Sequence, residues 1–531
     1  MNYGIDLGTT NSCVAGWNER MDRPQFFMDH VTGGTVTPSV VFFDPADDKR
    51  VLVGNTALAS FLMNPNRVVR GIKRRIGDKN SYDPNRSGLP NGTDPVAISA
   101  LILKKLVQDV KKGHDQIVKD VVITVPAYFG LEQRAKTKLA GEYAGLNVLE
   151  LIPEPMAAAL AYGMDSEEDK NVVVYDLGGG TFDVTFVRII TQENGINTVK
   201  GVALDGDSNL GGMDWDRELA QLFLDKYNNQ AGTYYSLRKE EELIDDSVEA
   251  RLTATLLMEA EKYKKLLTAD IGRINWSISF DGMLISGEVT LDEFNRRTKH
   301  LLDKTIEKTR SVIDSAHAEG YGYVNEIILV GGSTRMAQVA DAIRDAFGIT
   351  PKLHDPDFAV ATGASIYANK ISKYEIDFDG TKHISSTTPV NSKNILSKTY
   401  GIKVIDGSVA NILFRNELLP INKIVNRFCI ASNNQRSVVL RIYESDLLET
   451  KENITIPVND VNENNYVAEC EITFVKGYPE DTPITMQVKL NNEQLIDVEV
   501  DVLGEKQSVQ IILDIEENPE QREKIGDYKV Y

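Results

Sequence analysis

Two short runs combine the residue types that phosphate chemistry needs: Asp6-Leu7-Gly8-Thr9-Thr10 and Asp176-Leu177-Gly178-Gly179-Gly180-Thr181. Each follows an apolar run that reads as a strand, and each leads into another, Ser12-Cys13-Val14 and Phe182-Asp183-Val184. Glycines let the backbone approach a ligand closely. Successive N–H groups in a tight turn form an anion-binding nest, and threonine hydroxyls add donors. An aspartate ending a buried strand can hold a hydrated Mg²⁺. A single copy could be an ordinary hairpin with an Asx-type turn. Two copies in one α/β region suggest a duplicated domain with two facing hairpins. A third run, Leu329-Val330-Gly331-Gly332-Ser333-Thr334-Arg335, lets a flat ligand lie against backbone and offers Arg335 to stack on a purine. Other phosphate-binding solutions are excluded: the chain has no Gly-Lys dipeptide, hence no Walker A loop, and no Gly-x-Gly-x-x-Gly.

The elements that must position these runs alternate. Residues 1–372 pass between strand-like runs such as Val121–Val125, Val172–Tyr175 and Ile327–Val330 and helical stretches at 131–144, 155–162 and 337–346. That alternation predicts α/β layers. Residues 240–268 read as one charged helix with a stripe of Leu252, Leu256, Ala260, Tyr263 and Leu267. Residues 373–399 are polar and irregular and read as a linker. Residues 400–515 hold short alternating strands separated by turns, predicting an all-β sandwich. Residues 516–531 read as a charged, frayed tail.

The chain has 531 residues and a net charge of −20. Such a surface repels nucleic-acid phosphates and anionic lipid, so neither is an expected partner. Three scattered cysteines and the absence of a basic-then-apolar leader predict a reducing, cytoplasmic location. No run of eighteen apolar residues occurs, so no membrane span is expected.

The order of Asp6–Thr10, Val125-Pro126-Ala127-Tyr128-Phe129, Glu154-Pro155-Met156-Ala157-Ala158-Ala159-Leu160-Ala161-Tyr162-Gly163, Asp176–Thr181 and Gly331–Arg335 closely resembles the seventy-kilodalton heat-shock chaperones. The resemblance implies an actin-like two-lobed ATPase domain, a duplicated ribonuclease-H-like fold, followed by a β-sandwich. It implies ATP or ADP with Mg²⁺, and K⁺ beside it. Asp6 and Asp176 would face the hydrated metal, with Glu154 holding one of its waters. Gly8, Thr9, Thr10, Asn11, Gly178, Gly179 and Gly180 would cradle the phosphates. Lys73 matches the family's catalytic lysine, although Arg67, Arg70, Lys73, Arg74 and Arg75 read equally as a basic surface patch. Thr181 and Asp183 would align the attacking water. Adenosine would meet Gly212, Glu261, Lys264, Lys265, Thr268 (in place of a family serine), Gly331, Gly332, Ser333, Arg335 and Asp357. Pro126 and Arg134 match the family's interdomain switch; read alone, Pro126 is a strand terminator. Phosphoryl transfer rests on positioning and charge stabilisation, and with no tuned histidine base the expected turnover is slow.

From 400 onward the resemblance is fainter. Asn416-Glu417-Leu418-Leu419-Pro420 and Asn433-Asn434-Gln435 resemble turns of the family's peptide-binding sandwich. Matching positions imply a cleft of Ile402, Ile405, Phe428, Val438 and Leu440 for extended apolar segments of unfolded proteins; the plainer reading is sandwich core. Three departures stand out. The linker lacks the family's leucine-rich run and offers only Ile395-Leu396, which predicts altered coupling. Glu150 stands where the family carries a basic residue that receives J-domain co-chaperones, which puts that partner in question but leaves a nucleotide-exchange factor possible. The resemblance stops short of the family's helical lid, so fast peptide exchange is expected. Two rival readings are an actin-like or sugar-kinase relative and an ATP-binding regulatory relative with weak hydrolysis.

Overall fold

Runs of β-branched residues buried on both faces make central strands of helix-covered sheets, and the apolar runs above do so twice. In the computed structural model, Tyr3–Leu7 lies between Asn11–Asn18, antiparallel, and Asp120–Val125, parallel. Arg23–Phe26 and Asn147–Pro153 extend this sheet on either side. The second sheet repeats the order and sense. Lys170–Leu177 lies between antiparallel Phe182–Ile190 and parallel Glu326–Val330, flanked by Thr198–Asp207 and Lys352–Leu353. Asp6 pairs with Cys13 and Asp176 with Asp183, so both aspartates stand at the same point of their hairpins. Helices Glu154–Gly163 and Ala359–Ile371 share one apolar cluster with strands of both sheets. The structure describes all residues except 1, 48, 78–87, 91–92, 164–165, 192–196, 372–373, 377–381, 385–391, 448–454, 492–495, 512 and 514–517.

The charged stretch expected as one helix over 240–268 divides. A 3₁₀ turn occupies Glu240–Glu242, and the α-helix starts only at Val248, where the Ser247 hydroxyl accepts from the Ala250 N–H at 3.2 Å. It runs to Leu266 and ends in a π-helical turn, Leu267–Ile271. Its expected stripe of Leu252, Leu256, Ala260, Tyr263 and Leu267 is buried in the core of the second half.

The C-terminal strands form two antiparallel sheets. One contains Thr455–Ile456, Val409–Leu413, Thr399–Lys403, Gln435–Ser445 and Tyr466–Tyr478; the other contains Ile421–Cys429, Pro483–Leu490, Ile496–Val502 and Glu505–Ile511. Alternating inward residues of both sheets, among them Leu440, Ile472, Met486, Val488 and Val498, build one core.

Two segments differ from expectation. In the polar 373–399 stretch, part of which lies outside the described residues, Ser392–Lys393 adds a parallel strand to Thr198–Asp207. Main-chain bonds make that addition, so it needs no leucine run. Ile395 then packs with Ala127 and Leu204. The end expected to fray does not: Pro519–Asp527 is a helix, and Lys529–Val530 pairs in parallel with Arg50–Val53 of the first half. Ile525, Tyr528 and Val530 are buried in the core there, and Lys104 Nζ donates to the carbonyls of Ile525, Gly526 and Tyr528 at 2.7–2.9 Å. A few buried side chains and one lysine across a helix end outweigh the polar composition.

Candidate nucleotide site

The two glycine-threonine turns meet at the bottom of a cleft of about 510 Å³. Their approach requires glycine. A Cβ on Gly179 would lie 1.6 Å from Thr10 Oγ1, and one on Gly180 would lie 2.2 Å from Thr9 Cγ2. The third glycine run enters from the side. Gly331 has φ +82°, and a Cβ there would lie 2.6 Å from Asp176 Oδ1. Ser333 Oγ donates to the Gly178 carbonyl at 2.8 Å, which ties the third run to the second turn. The Thr10 hydroxyl is buried and has no hydrogen-bond partner among the described residues.

Around these turns the structure gathers carboxylates. Asp6, Glu154 and Asp176 line the cleft, and Asp183 joins them electrostatically. Lys73 is buried and bonds Glu154 through its Nζ. Thr124 Oγ1 donates to Asp6 at 3.0 Å, and the Tyr128 N–H donates to Asp183 at 3.1 Å. Burial first, and repulsion from Glu154 next, push Asp6 and Asp183 up to about 7 and Asp176 well above the carboxylate range. One lysine cannot neutralise four clustered acids, three of them buried. The donor set is all oxygen and surplus in negative charge, which fits a hard cation such as Mg²⁺, and the unpartnered Thr10 hydroxyl fits a phosphate beside it.

The cleft also takes in Gly8, Thr9, Asn11, Gly178, Thr181 and Gly212. On its far wall stand Glu261, Lys264, Lys265 and Thr268, carried by the long helix and its π-turn, with Gly332, Arg335 and Asp357 opposite. Gly180 and Lys73 lie outside that lining and reach the site through Thr9 and Glu154. Lys264 pairs with buried Asp216 at 2.7 Å and donates to the Gly212 carbonyl at 2.9 Å; Lys265 and Arg70 pair with Glu261 at 2.8 and 3.4 Å. Arg335, expected to face a purine, is bound to Asp357 at the cleft's edge. Sequence reasoning missed Arg70, Met213 and Asp216. Arg70 was hidden in a basic run, and Asp216, one turn past Gly212, is buried only because Lys264 reaches it.

Arg134 stands where this region meets the sandwich, beside Tyr400, and Pro126 ends the strand before Ala127 and Tyr128, which meet the linker. Arg134 is buried, and burial pulls it down to about 10. Its Nε donates to the Phe129 carbonyl at 3.1 Å, and Ser397 Oγ donates to the same oxygen at 2.8 Å. Lys398 lies 3.3 Å from the centre of the Tyr128 ring and pairs with Asp446 of the sandwich at 2.5 Å. The peptide set is not brought together in the same way. Ile402 and Leu440 are sandwich core, Phe428 and Val438 are half-buried against it, and Ile405 is 85% exposed.

Comparison with known proteins decides the lineage. The family model described as "Hsp70 protein" matches residues 2–87 and 86–526. The chain belongs to the Hsp70 family. It is 34% identical over 520 residues to the heat shock 70 kDa protein of Neurospora crassa, covering 92% of this chain and 74% of that one. It is 31% identical over 511 residues to the chaperone protein DnaK of Halobacterium salinarum, covering 94% and 73%. As an Hsp70, the chain is an ATP-dependent chaperone with ATP hydrolase activity. Among the described residues, no helix is long and apolar enough to cross a membrane.

Proposed function

We propose that this Hsp70 hydrolyses ATP slowly in the cleft between its two glycine-threonine turns and uses that cycle to control the grip of its sandwich on extended apolar segments of unfolded proteins. The carrying observation is the junction of two closely apposed glycine-threonine turns with four carboxylates and one lysine. The turns and the Thr10 hydroxyl hold the phosphates. Asp6, Asp176 and, through water, Glu154 would hold Mg²⁺, which when bound supplies charge neutralisation; the surplus of acids leaves room for K⁺. Lys73, kept in place by Glu154, faces the transferring phosphoryl group. Thr181 and Asp183 orient a water, whose oxygen bonds the terminal phosphorus as the bond to the bridging oxygen of ADP breaks. The released proton passes to solvent. Glu261, Lys264, Lys265 and Thr268 form the wall for the nucleoside.

Coupling runs through the docked linker. Ser392–Lys393 on the second sheet, Ile395 on Ala127, and the Tyr128–Lys398–Asp446 contact join the ATPase region to the sandwich. Tyr128 also holds Asp183 by its main chain, so movement of the sandwich reaches a water-aligning carboxylate. Peptide binding would combine main-chain pairing with apolar pockets, using Ile405, Phe428 and Val438, and Ile402 and Leu440 once the sandwich opens. Glu150, which accepts from Tyr367 OH at 2.9 Å, favours a co-chaperone whose charge is complementary to an acid. Steady-state hydrolysis with Mg²⁺ and K⁺, with and without saturating extended apolar peptide, tests the reading. Slow turnover that rises with peptide is expected. Turnover indifferent to peptide would remove the coupling, and no turnover would remove the mechanism.

A further inference from the structure

Arg74 belongs to the basic run that could be mere surface, yet its guanidinium does not face solvent. It sits beside Lys73 on one 3₁₀ turn, Ile72–Arg75. Lys73 points to Glu154, whereas Arg74 reaches from the first half of the ATPase region to the second. Its Nε donates to the Gly180 carbonyl at 2.5 Å, and its terminal nitrogen meets Asp214 Oδ2 at 2.5 Å. The two side chains are only 15% and 20% exposed.

The partners give this contact its meaning. Asp214 also accepts from the Gly211 N–H at 2.8 Å and so caps the helix Gly212–Ala231. The first N–H groups of that helix bind the phosphate turn: Gly212 N–H donates to Gly178 O at 3.0 Å, and Met213 N–H donates to Gly179 O at 2.8 Å. Three successive carbonyls of the turn, at 178, 179 and 180, are therefore each held by a donor. The Gly178 N–H closes the turn on Thr181 O, and carbonyls held on one side leave the N–H groups of Gly179 and Gly180 for an anion on the other. The Ser333 hydroxyl holds Gly178 O as well, so three of the four donors belong to the turn's own half. The fourth, Arg74, comes from the half that carries Lys73, and charge-assisted bonds of low exposure are the strong ones.

We infer that Arg74 is a positioning residue for ATP hydrolysis: it clasps the second phosphate turn and the Asp214 helix cap across the cleft, keeping the turn in register with Lys73 and the halves closed on nucleotide. The inference rests on the ATP-site reading above. Removing the clasp frees the Gly180 carbonyl and lets the halves part. Nucleotide then leaves sooner and hydrolysis slows, by more than the small fall in nucleotide-free melting temperature that loss of one charged hydrogen bond brings.

The test uses the full chain, Mg²⁺ and a fluorescent ADP for release, with single-turnover hydrolysis of ATP. Arg74→Met should release ADP about tenfold faster and hydrolyse about tenfold more slowly, the size expected for a charged hydrogen bond. Asp214→Asn should speed release similarly. Arg74→Lys, which keeps the charge but not the fork, should restore release to within about threefold and leave hydrolysis slow. Both rates within about twofold of the parent in Arg74→Met overturn the inference, as does a fall in nucleotide-free melting temperature that accounts for the loss. Should Arg74→Met not fold, unchanged release in both Arg74→Lys and Asp214→Asn overturns it. A parent protein that binds no nucleotide would instead overturn the ATP-site reading, and this inference with it.

Discussion

Lys73 and the carboxylates around it are the residues on which the proposed chemistry turns, and each makes a distinct prediction. Lys73→Ala removes the cation proposed to meet the transferring group but neither of the glycine-threonine turns proposed to hold phosphate. Hydrolysis should fall about 10²–10³-fold, with ADP affinity changed only a few-fold, in single-turnover and equilibrium titrations; unchanged turnover would remove Lys73 from the reaction. Asp6 and Asp183 are raised to about 7 by burial first and by repulsion from Glu154 next. Between their unfolded range near 3.8 and 7 the folded, metal-free protein therefore binds protons that the unfolded chain has released. Stability from these groups is present at low pH and is lost as pH rises through 7. Melting of the metal-free protein should fall from about pH 5.5 to about pH 8, Mg²⁺ with ADP should flatten that slope, and Asp183→Asn should shrink it. A slope unaffected by either would argue against the carboxylate cluster as its source. The aspartates, glycines and threonines of the turns were legible because two backbones that approach this closely need glycine and small side chains at that spacing. Arg74 and Asp216 were not, because a charged residue in a charged run reads as solvated until its partner is known.

Among the elements, the 518–531 segment departs furthest from its composition. Its helix has little apolar surface, and it is held by Tyr528 against Phe43, by Lys104 across the helix end, and by main-chain pairing to Arg50–Val53. The Val53 N–H donates to Tyr531 O at 2.9 Å. Tyr528→Ala should weaken this docking by about 3 kcal/mol, so that exchange at the Val53 amide accelerates by about 100-fold while amides of Val172–Val174 keep their protection. Equal acceleration at both would mean global unfolding and not release of one element. The same contrast holds for the long helix: its apolar stripe was legible, but its start at Val248 was set by the Ser247 cap, a choice that propensity over 240–268 could not make.

At the scale of the molecule, the linker contacts with the ATPase region bypass the missing leucine run and stand beside direct sandwich contacts such as Arg415 with Asp205, Asn416 with the Leu204 N–H, and Leu131 in the sandwich core. Ile395→Asp places an unpaired charge against Ala127 and Leu204, a burial that costs several kcal/mol if the contact persists, so the linker should leave its seat. Basal hydrolysis should survive, and its response to extended apolar peptide should be lost; a retained response would show that coupling runs elsewhere. Lys398→Met keeps the stem on Tyr128 and loses Asp446, and should weaken the response without abolishing it.

The amino-acid sequence by itself determined the two glycine-threonine turns, the third glycine run, the repeated α/β pattern and the alternating strands of the sandwich. Each is local: a turn needs glycine where backbones approach, and a strand or helix needs its own hydrophobic period. Tertiary structure alone decided which charges are buried together, that Arg74 crosses the cleft, that a polar linker docks by main-chain bonds, and that a charged end packs onto the first sheet region. Those outcomes depend on contacts between residues hundreds of positions apart, where the partner, and not the residue type, decides whether a charge or a strand edge is left in water.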